Sequence, residues 1–138
     1  METSIVKLTP ELLSLFADDM GSNALAPFTR EVFLLDITVA GTSYCEQIDK
    51  VYPYLETGMV LRMQRDPKNK YDENAIGIYF RASADSDDIR IGWVPRTMNT
   101  VISRLMDAGK AFFCRINKLG TEDYGKWKQI DCKIYMVE

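Results

Sequence analysis

The residue types best suited to chemistry crowd into one short connection, residues 65–76. It reads Arg-Asp-Pro-Lys-Asn-Lys-Tyr-Asp-Glu-Asn-Ala-Ile, so an aromatic ring and carboxylates lie beside several cations. Asp66-Pro67 and Asn69 favour turns, because proline fixes φ and short polar side chains bond their own backbone. A turn alone needs few such residues. The additional aromatic and charged residues indicate ligand binding by a loop that a rigid scaffold holds in place.

Catalytic chemistry has little support elsewhere in the chain. Histidine, the commonest general base and metal ligand, is absent. A Ser-His-Asp triad is therefore impossible, and a zinc site would need an unusual ligand set. Residues 120–126 match the first part of a phosphate-binding loop, but Trp127 stands where the motif needs Ser or Thr. We expect a hairpin turn there, no enzyme activity and no cofactor. The acidic pairs are typical of solvated surface: Asp18-Asp19 and Asp87-Asp88.

Bulk properties indicate one domain in the cytoplasm. A chain of 138 residues suits a single core. No stretch approaches the ~20 apolar residues of a membrane span, and the N-terminus lacks the pattern of a secretory signal. The three cysteines are widely spaced, which favours reduced thiols. A net charge of −3 argues against the broad basic surface of proteins that coat duplex DNA, but it permits a small nucleic-acid site.

Six short runs of apolar and β-branched residues predict strands. They cover residues 32–39, 59–65, 75–80, 89–94, 111–117 and 127–137. Apolar residues at helical spacing after Pro95 predict a helix that ends near Gly109, and residues 45–55 are expected to hold a short helix. Short strands with one intervening helix predict a small β-barrel or a highly curved sheet.

The N-terminal segment reads as an appendage. Thr9-Pro10-Glu11 offers an N-cap hydroxyl, a proline at the first helical position and an acid in the first turn. Gly21 is the expected stop. We therefore predict an N-terminal helix and linker over residues 1–29 and a main domain over residues 30–138. The predicted fold class is mainly β with two main helices (α+β).

Residues 41–96, taken together, resemble a HIRAN domain, and the similarity extends over about residues 32–136. The matching pieces are Ala40-Gly41-Thr42-Ser43-Tyr44, Gly58 before a strand, the 65–76 connection, and Ile91-Gly92-Trp93-Val94-Pro95-Arg96. The resemblance implies a modified OB-like barrel. With the strands and helices read from the pattern, the expected fold is a six-stranded barrel with an extra N-terminal helix, which lies outside the resemblance. The resemblance also implies a module that binds single-stranded DNA and captures a free 3′-hydroxyl end in DNA repair or replication-fork processing. Some family members are fused to Swi/Snf-type ATPases, which implies a helicase or ATPase on another chain as a partner.

The resemblance also implies roles for individual residues. Tyr44 and Tyr71 match the aromatic positions that hold the terminal base. Asp72 matches the carboxylate that accepts a hydrogen bond from the 3′-hydroxyl. Arg96 matches a basic position near the phosphates, and Trp127 aligns with an aromatic that stacks on a base.

Two positions depart from the family pattern. Ser43 stands where characterised members carry a basic residue, and Trp93 stands where some carry a polar one. Fewer cations imply weaker binding, whereas Trp93 offers an added stacking surface. The cations expected near the phosphates are Arg62, Arg65, Lys68, Lys70 and Arg96.

The chemistry of these residue types is consistent with end capture. Bases stack on aromatic rings regardless of sequence, at ~1–3 kcal/mol per base. A carboxylate repels phosphate, but it accepts a hydrogen bond from a terminal hydroxyl, worth ~1.5–3 kcal/mol. A 3′-phosphate would meet repulsion from like charge, so Asp72 can act as an end filter.

Structural interpretations of the same residues stay open. Asp72 is also suited to capping a turn, the two tyrosines to ordinary core or rim positions, and Asn74 to bonding the loop backbone. Arg65 is also suited to a solvated strand end. Two competing functions remain: a protein-interaction module that uses the same groove, and a nuclease, for which the carboxylates form no convincing metal cluster.

Overall fold

Strands dominate the structure, a computed structural model that describes residues 3–5, 30–120 and 128–138. They form one antiparallel sheet in the order β1-β2-β7-β6-β3-β4-β5. The strands are β1 (Thr3–Ile5), β2 (Arg30–Thr38), β3 (Val60–Arg65), β4 (Ile76–Phe80), β5 (Ile89–Trp93), β6 (Ala111–Leu119) and β7 (Ile130–Val137).

The six predicted strands are all present, with bounds close to those expected. They were predictable because each is a short run of β-branched and aromatic residues between turn formers. The strand β1 was not predicted. It pairs antiparallel with β2, so the described part of the sheet has one strand more than the sequence indicated.

Within the described residues, two short α-helices connect the strands. The helix α1 (Ile48–Val51) continues into a 3₁₀ turn at Tyr52–Tyr54, and α2 (Thr100–Asp107) follows a 3₁₀ turn at Arg96–Met98. Both lie where helices were predicted. A further 3₁₀ turn spans Thr42–Tyr44. The predicted N-terminal helix, the linker at residues 22–29, most of the 120–126 turn and Trp127 lie outside the described residues.

The sheet curves until its far edge nearly meets β2 again. Ala40, just beyond β2, forms an isolated bridge with Trp93 at the end of β5, and each amide donates to the other carbonyl at 2.8 Å. Gly92 permits this approach, because a Cβ there would lie 2.3 Å from Val39 Cγ1 and 2.7 Å from the Ala40 oxygen. One bridge does not close a barrel. The expected barrel is therefore present only as a highly curved, open sheet.

The core lies inside this curved sheet. Leu61, Ile76, Ile78 and Ile91 are fully buried there, and Ile48 of α1 joins them. The three cysteines are free and buried. No helix in the described residues is long and apolar enough to cross a membrane. The core thus provides the rigid support from which the connection after β3 projects.

Candidate functional site

The connection between β3 and β4, residues 66–75, is an internally bonded hairpin loop. Its two ends meet where the Asp66 amide donates to the Ala75 carbonyl at 2.9 Å. Asn69 Oδ1 accepts from the amides of Tyr71 and Asp72, at 2.9 and 3.1 Å. Asn69 Nδ2 donates back to Asp66 Oδ2 at 3.1 Å. The turn-forming residues seen in the sequence therefore give this loop a defined shape.

Arg65 braces the loop from the end of β3. Its Nη1 donates to the Ala75 carbonyl at 2.6 Å and its Nη2 donates to the Glu73 carbonyl at 2.9 Å. Its Nε donates to Asp107 Oδ1 at 2.9 Å, and the side chain is 14% exposed. The interpretation of Arg65 as a solvated strand end is wrong, because its guanidinium is committed to protein acceptors.

Asp72 is half-buried, and both of its carboxylate oxygens have a protein donor. Oδ1 accepts from the Asn74 amide at 2.9 Å, and Oδ2 accepts from Asn99 Nδ2 at 2.7 Å. Asp72 therefore does cap a turn. Each ionised oxygen can still accept a further hydrogen bond, because a carboxylate offers about four acceptor positions.

The electrostatic surroundings keep Asp72 charged. Burial raises the pKa of this carboxyl, but the hydrogen bonds from Asn99 and Asn74 and the nearby guanidinium groups of Arg96 and Arg65 outweigh that effect. The net result is a pKa below the ordinary value of 3.8. Asp72 is thus an ionised hydrogen-bond acceptor whose side chain is fixed in position.

A cavity of about 430 Å³ opens between the loop and the start of α2. Four of the predicted residues line it, namely Lys70, Tyr71, Asp72 and Arg96. The Tyr71 side chain is 85% exposed. An aromatic ring, an ionised acceptor and two cations therefore surround one open space.

Two other predicted aromatics, Tyr44 and Trp93, lie in a second neighbourhood, around Gly41. A Cβ at Gly41 would lie 2.7 Å from the Trp93 ring and 3.9 Å from the Tyr44 ring, so both rings adjoin this glycine. Tyr44 is 84% exposed, and Ser43 beside it is exposed. Trp93 is half-buried, with the Arg90 guanidinium 4.8 Å from its ring centroid. None of these residues lines the cavity.

Two sequence expectations about charge are wrong. Arg62 was expected near phosphates, but it is 6% exposed, and its Nη1 donates to Asp88 Oδ2 at 2.8 Å. Asp88 was expected to be solvated, but it also accepts from Arg81 Nε at 2.9 Å. The turn that carries Asp88 reaches back to β3. Lys68 is exposed, as expected, but lies outside the cavity lining.

Asn99 is a cavity residue that the sequence did not reveal. It lines the cavity and is 1% exposed. An asparagine directly before a helix reads as an N-cap, so nothing local indicated a bond to a residue on another element. In residues 3–5, 30–120 and 128–138, no group of three His, Cys, Asp or Glu side chains is arranged to hold a metal ion.

Comparison with known proteins gives a consistent result. A family model described as the HIRAN domain matches residues 32–137. The crystal structure of a protein from Lactobacillus plantarum is 26% identical, with a TM-score of 0.69 over 80% of this chain and 98% of that chain. The crystal structure of the HIRAN domain of human HLTF is 16% identical, with a TM-score of 0.54 over 78% of each chain, a likeness of fold alone. No curated protein matches the sequence.

Proposed function

The chain belongs to the HIRAN domain family, and from this premise we propose that it binds the free 3′-hydroxyl end of single-stranded DNA. HIRAN domains are generally non-catalytic modules that bind DNA. The proposed site is the cavity between the 66–75 loop and the start of α2. On this proposal the chain acts in DNA repair or replication-fork processing, and any helicase or ATPase activity comes from another chain.

The observation that carries the proposal is the ionised Asp72 carboxylate in the cavity wall. Its pKa lies below the ordinary value, so at neutral pH it accepts hydrogen bonds and does not donate them. A terminal hydroxyl can donate to it, whereas a terminal phosphate meets like charge. Such a group is useful only where a nucleic-acid strand ends.

The remaining cavity groups suit the rest of a terminal nucleotide. The exposed Tyr71 ring offers a face on which a base can stack. Lys70 and Arg96 line the same cavity and would neutralise the last phosphodiesters. Arg65 enters the proposal as a positioning residue, because its guanidinium already holds the loop and Asp107.

The resemblance implied that Tyr44 holds the terminal base together with Tyr71, but Tyr44 lies outside the cavity lining. We therefore propose that the second neighbourhood serves the nucleotides further from the end. Tyr44 is exposed, Ser43 is a small polar neighbour, and one face of Trp93 lies against Arg90. We propose stacking on Tyr44, with Trp93 as its support. Lys68 is an exposed cation on the loop that would contact phosphate from outside the cavity, and base stacking by Trp127 remains a prediction.

Fluorescence anisotropy with short oligonucleotides tests the proposal. Three probes of one sequence should carry a 3′-hydroxyl, a 3′-phosphate or a 3′-dideoxy end. We expect the hydroxyl end to bind most tightly and the phosphate end least, since the latter is repelled. Equal affinity for all three would refute end capture while leaving DNA binding in place.

One observation favours a different ligand. Val101 is 68% exposed and Met98 is 46% exposed, and both adjoin cavity residues in sequence. Exposed apolar side chains beside a groove suit a protein partner. Failure of all oligonucleotides to bind, together with a partner whose recovery is lost on Val101→Ser, would favour the protein-interaction function.

A further inference from the structure

We propose that Asn99 is a positioning residue that holds the Asp72 carboxylate for the terminal hydroxyl and so sets the preference for a hydroxyl end. The inference rests on the proposed function. Asn99 reaches the site from a different element, because it lies just before α2, whereas Asp72 lies on the 66–75 loop.

The orientation of the Asn99 amide is fixed by Asp72. Asn99 Nδ2 lies 2.7 Å from Asp72 Oδ2. A flipped amide would set its oxygen at that distance from an ionised oxygen, which is repulsive. In the orientation that Asp72 fixes, Asn99 Oδ1 is buried and has no hydrogen-bond partner among the described residues.

An unpartnered buried acceptor is unusual, since buried polar groups are nearly always hydrogen-bonded. The ordinary role of an asparagine before a helix is to accept from an amide of the first turn. Asn99 makes no such bond to α2, and its backbone is already helical, with φ −95° and ψ −14°. Among the described residues, the side-chain amide of Asn99 makes its hydrogen bond to Asp72 alone.

The bond to Asn99 restricts how Asp72 can meet a ligand. One oxygen is tied to the Asn74 amide in the loop, and the other is tied to Asn99 beside α2. A carboxylate held at both oxygens is pre-organised, so a terminal hydroxyl does not have to immobilise it. The amide also adds no charge, so the pair remains an acceptor for a donating end.

The charged groups around the pair come from four segments: the 3₁₀ turn before α2, β3, the 66–75 loop and α2 itself. They are Arg96 ahead of α2, Arg65 on β3, Lys70 and Glu73 on the loop, and Asp107 at the end of α2, where it pairs with Arg65.

The substitution Asn99→Asp provides a test that a purely structural role would not satisfy. A protonated Asp side chain can donate to Asp72 as the amide does, whereas an ionised one repels it. A buried carboxyl beside a carboxylate has a raised pKa, and the pair shares one proton. The variant should therefore resemble the wild type at acidic pH and fail as the pH rises.

The readout is the ratio of the dissociation constant for a 3′-dideoxy end to that for a 3′-hydroxyl end. Neither end is charged, so the ratio isolates the hydrogen bond to Asp72. For the wild type we expect a ratio of about 10 to 100, constant from about pH 5.5 to 8.5. For Asn99→Asp we expect this ratio to fall towards about 1 across the same range.

Two further variants keep the test decisive. Asn99→Ala removes the donor without adding charge, so its ratio should be several-fold lower at every pH, and the pKa of Asp72, measured by NMR, should rise. Ser103→Ala is the matched control. It removes an equally buried hydroxyl that donates to the Thr100 carbonyl at 2.8 Å and lies 3.3 Å from Asn74 Oδ1, so it should lower the melting temperature but keep the ratio.

Each failure has a distinct meaning. A wild-type ratio of about 1 refutes the proposed end capture. A normal wild-type ratio that Asn99→Ala leaves unchanged, or that Ser103→Ala lowers equally, overturns the role of Asn99. If the pKa of Asp72 rises in Asn99→Ala while the wild type shows no preference for a hydroxyl end, Asn99 does hold Asp72. Its proposed use in recognising DNA ends is then rejected.

Discussion

Tyr71 lies in the cavity wall yet contributes little to packing, because its side chain is 85% exposed. We predict that Tyr71→Ala weakens binding of a 3′-hydroxyl oligonucleotide by about 1–3 kcal/mol, the value of one lost stacking contact. The free energy of unfolding should change by less than about 0.5 kcal/mol. Anisotropy and urea denaturation measure the two effects separately.

Tyr54 provides the matched control for this substitution. It is also a tyrosine, is 71% exposed, and lies outside the cavity lining. Tyr54→Ala should leave the affinity unchanged. An equal loss in both variants would mean that any exposed tyrosine assists binding nonspecifically, and the assignment of Tyr71 to the site would fail.

The lowered pKa of Asp72 predicts how the free energy of unfolding depends on pH. Its folded-state pKa lies below the ordinary 3.8, so its ionised form stabilises the fold above that value and the stabilisation is lost as the pH falls through the folded pKa. The difference in free energy of unfolding between wild type and Asp72→Asn should be constant from about pH 5 to 7 and shrink below about pH 4. A difference that grows towards acidic pH would contradict the contacts seen around this carboxylate.

The sequence was informative about some site residues and not others, for a physical reason. Tyr71 and Asp72 lie in the same short motif, and Arg96 ends a second one, so the resemblance to the family, which rests on such local motifs, was sufficient to select them. Asn99 meets Asp72 across 27 positions, and Arg65 meets Asp107 across 42. Contacts between such distant positions depend on how α2 packs against the sheet, which no local pattern indicates.

At the level of elements, the 66–75 loop depends on its brace at the end of β3. Arg65→Lys keeps the positive charge but loses the planar fork that bonds two carbonyls and Asp107. We predict that the free energy of unfolding falls by about 1–3 kcal/mol. Loop amides, including that of Asp66, should exchange their hydrogens faster, and DNA affinity should fall because the loop loses its shape.

The control for the brace is Arg104→Lys, an exposed arginine on α2. Its effect on stability should stay within about 0.5 kcal/mol. Comparison of the two lysine variants also distinguishes a structural role of Arg65 from a phosphate-binding role. If Arg65 served as a phosphate contact, lysine would retain much of the binding and the stability would not change.

Element positions followed from local pattern more readily than their assembly did. The run Ile89–Trp93 reads as a strand from its own residues, and the sequence predicted it. The close approach of β5 to the end of β2 depends on the Ala40–Trp93 bridge, and on the space that Gly92 leaves for Val39 and Ala40. Whether a curved sheet makes one bridge or many depends on its overall curvature. The sequence pattern therefore left both a barrel and a highly curved sheet open, and the structure has the curved, open sheet.

For the molecule as a whole, the net charge of −3 has to be reconciled with DNA binding. Several cations are already paired within the protein. Arg115 contacts Glu31, Lys133 contacts Asp36, and Lys128 contacts Asp49. The cations that line the cavity, Lys70 and Arg96, are exposed and make no ion pair within the described residues. Binding should therefore depend on a local site and involve few phosphates.

The salt dependence of binding measures this directly. Single-stranded nucleic acid loses affinity with a log–log slope of about −0.7 per neutralised phosphate, so contact with about one to three phosphates predicts a slope of about −0.7 to −2. Lys70→Gln should make the slope shallower by about 0.7. Lys133→Gln is the control, because that lysine pairs with Asp36 on the sheet and lies outside the cavity lining, so its slope should match the wild type. A slope steeper than about −4, or equal changes in both lysine variants, would show that affinity comes from charge spread over the surface and not from the cavity.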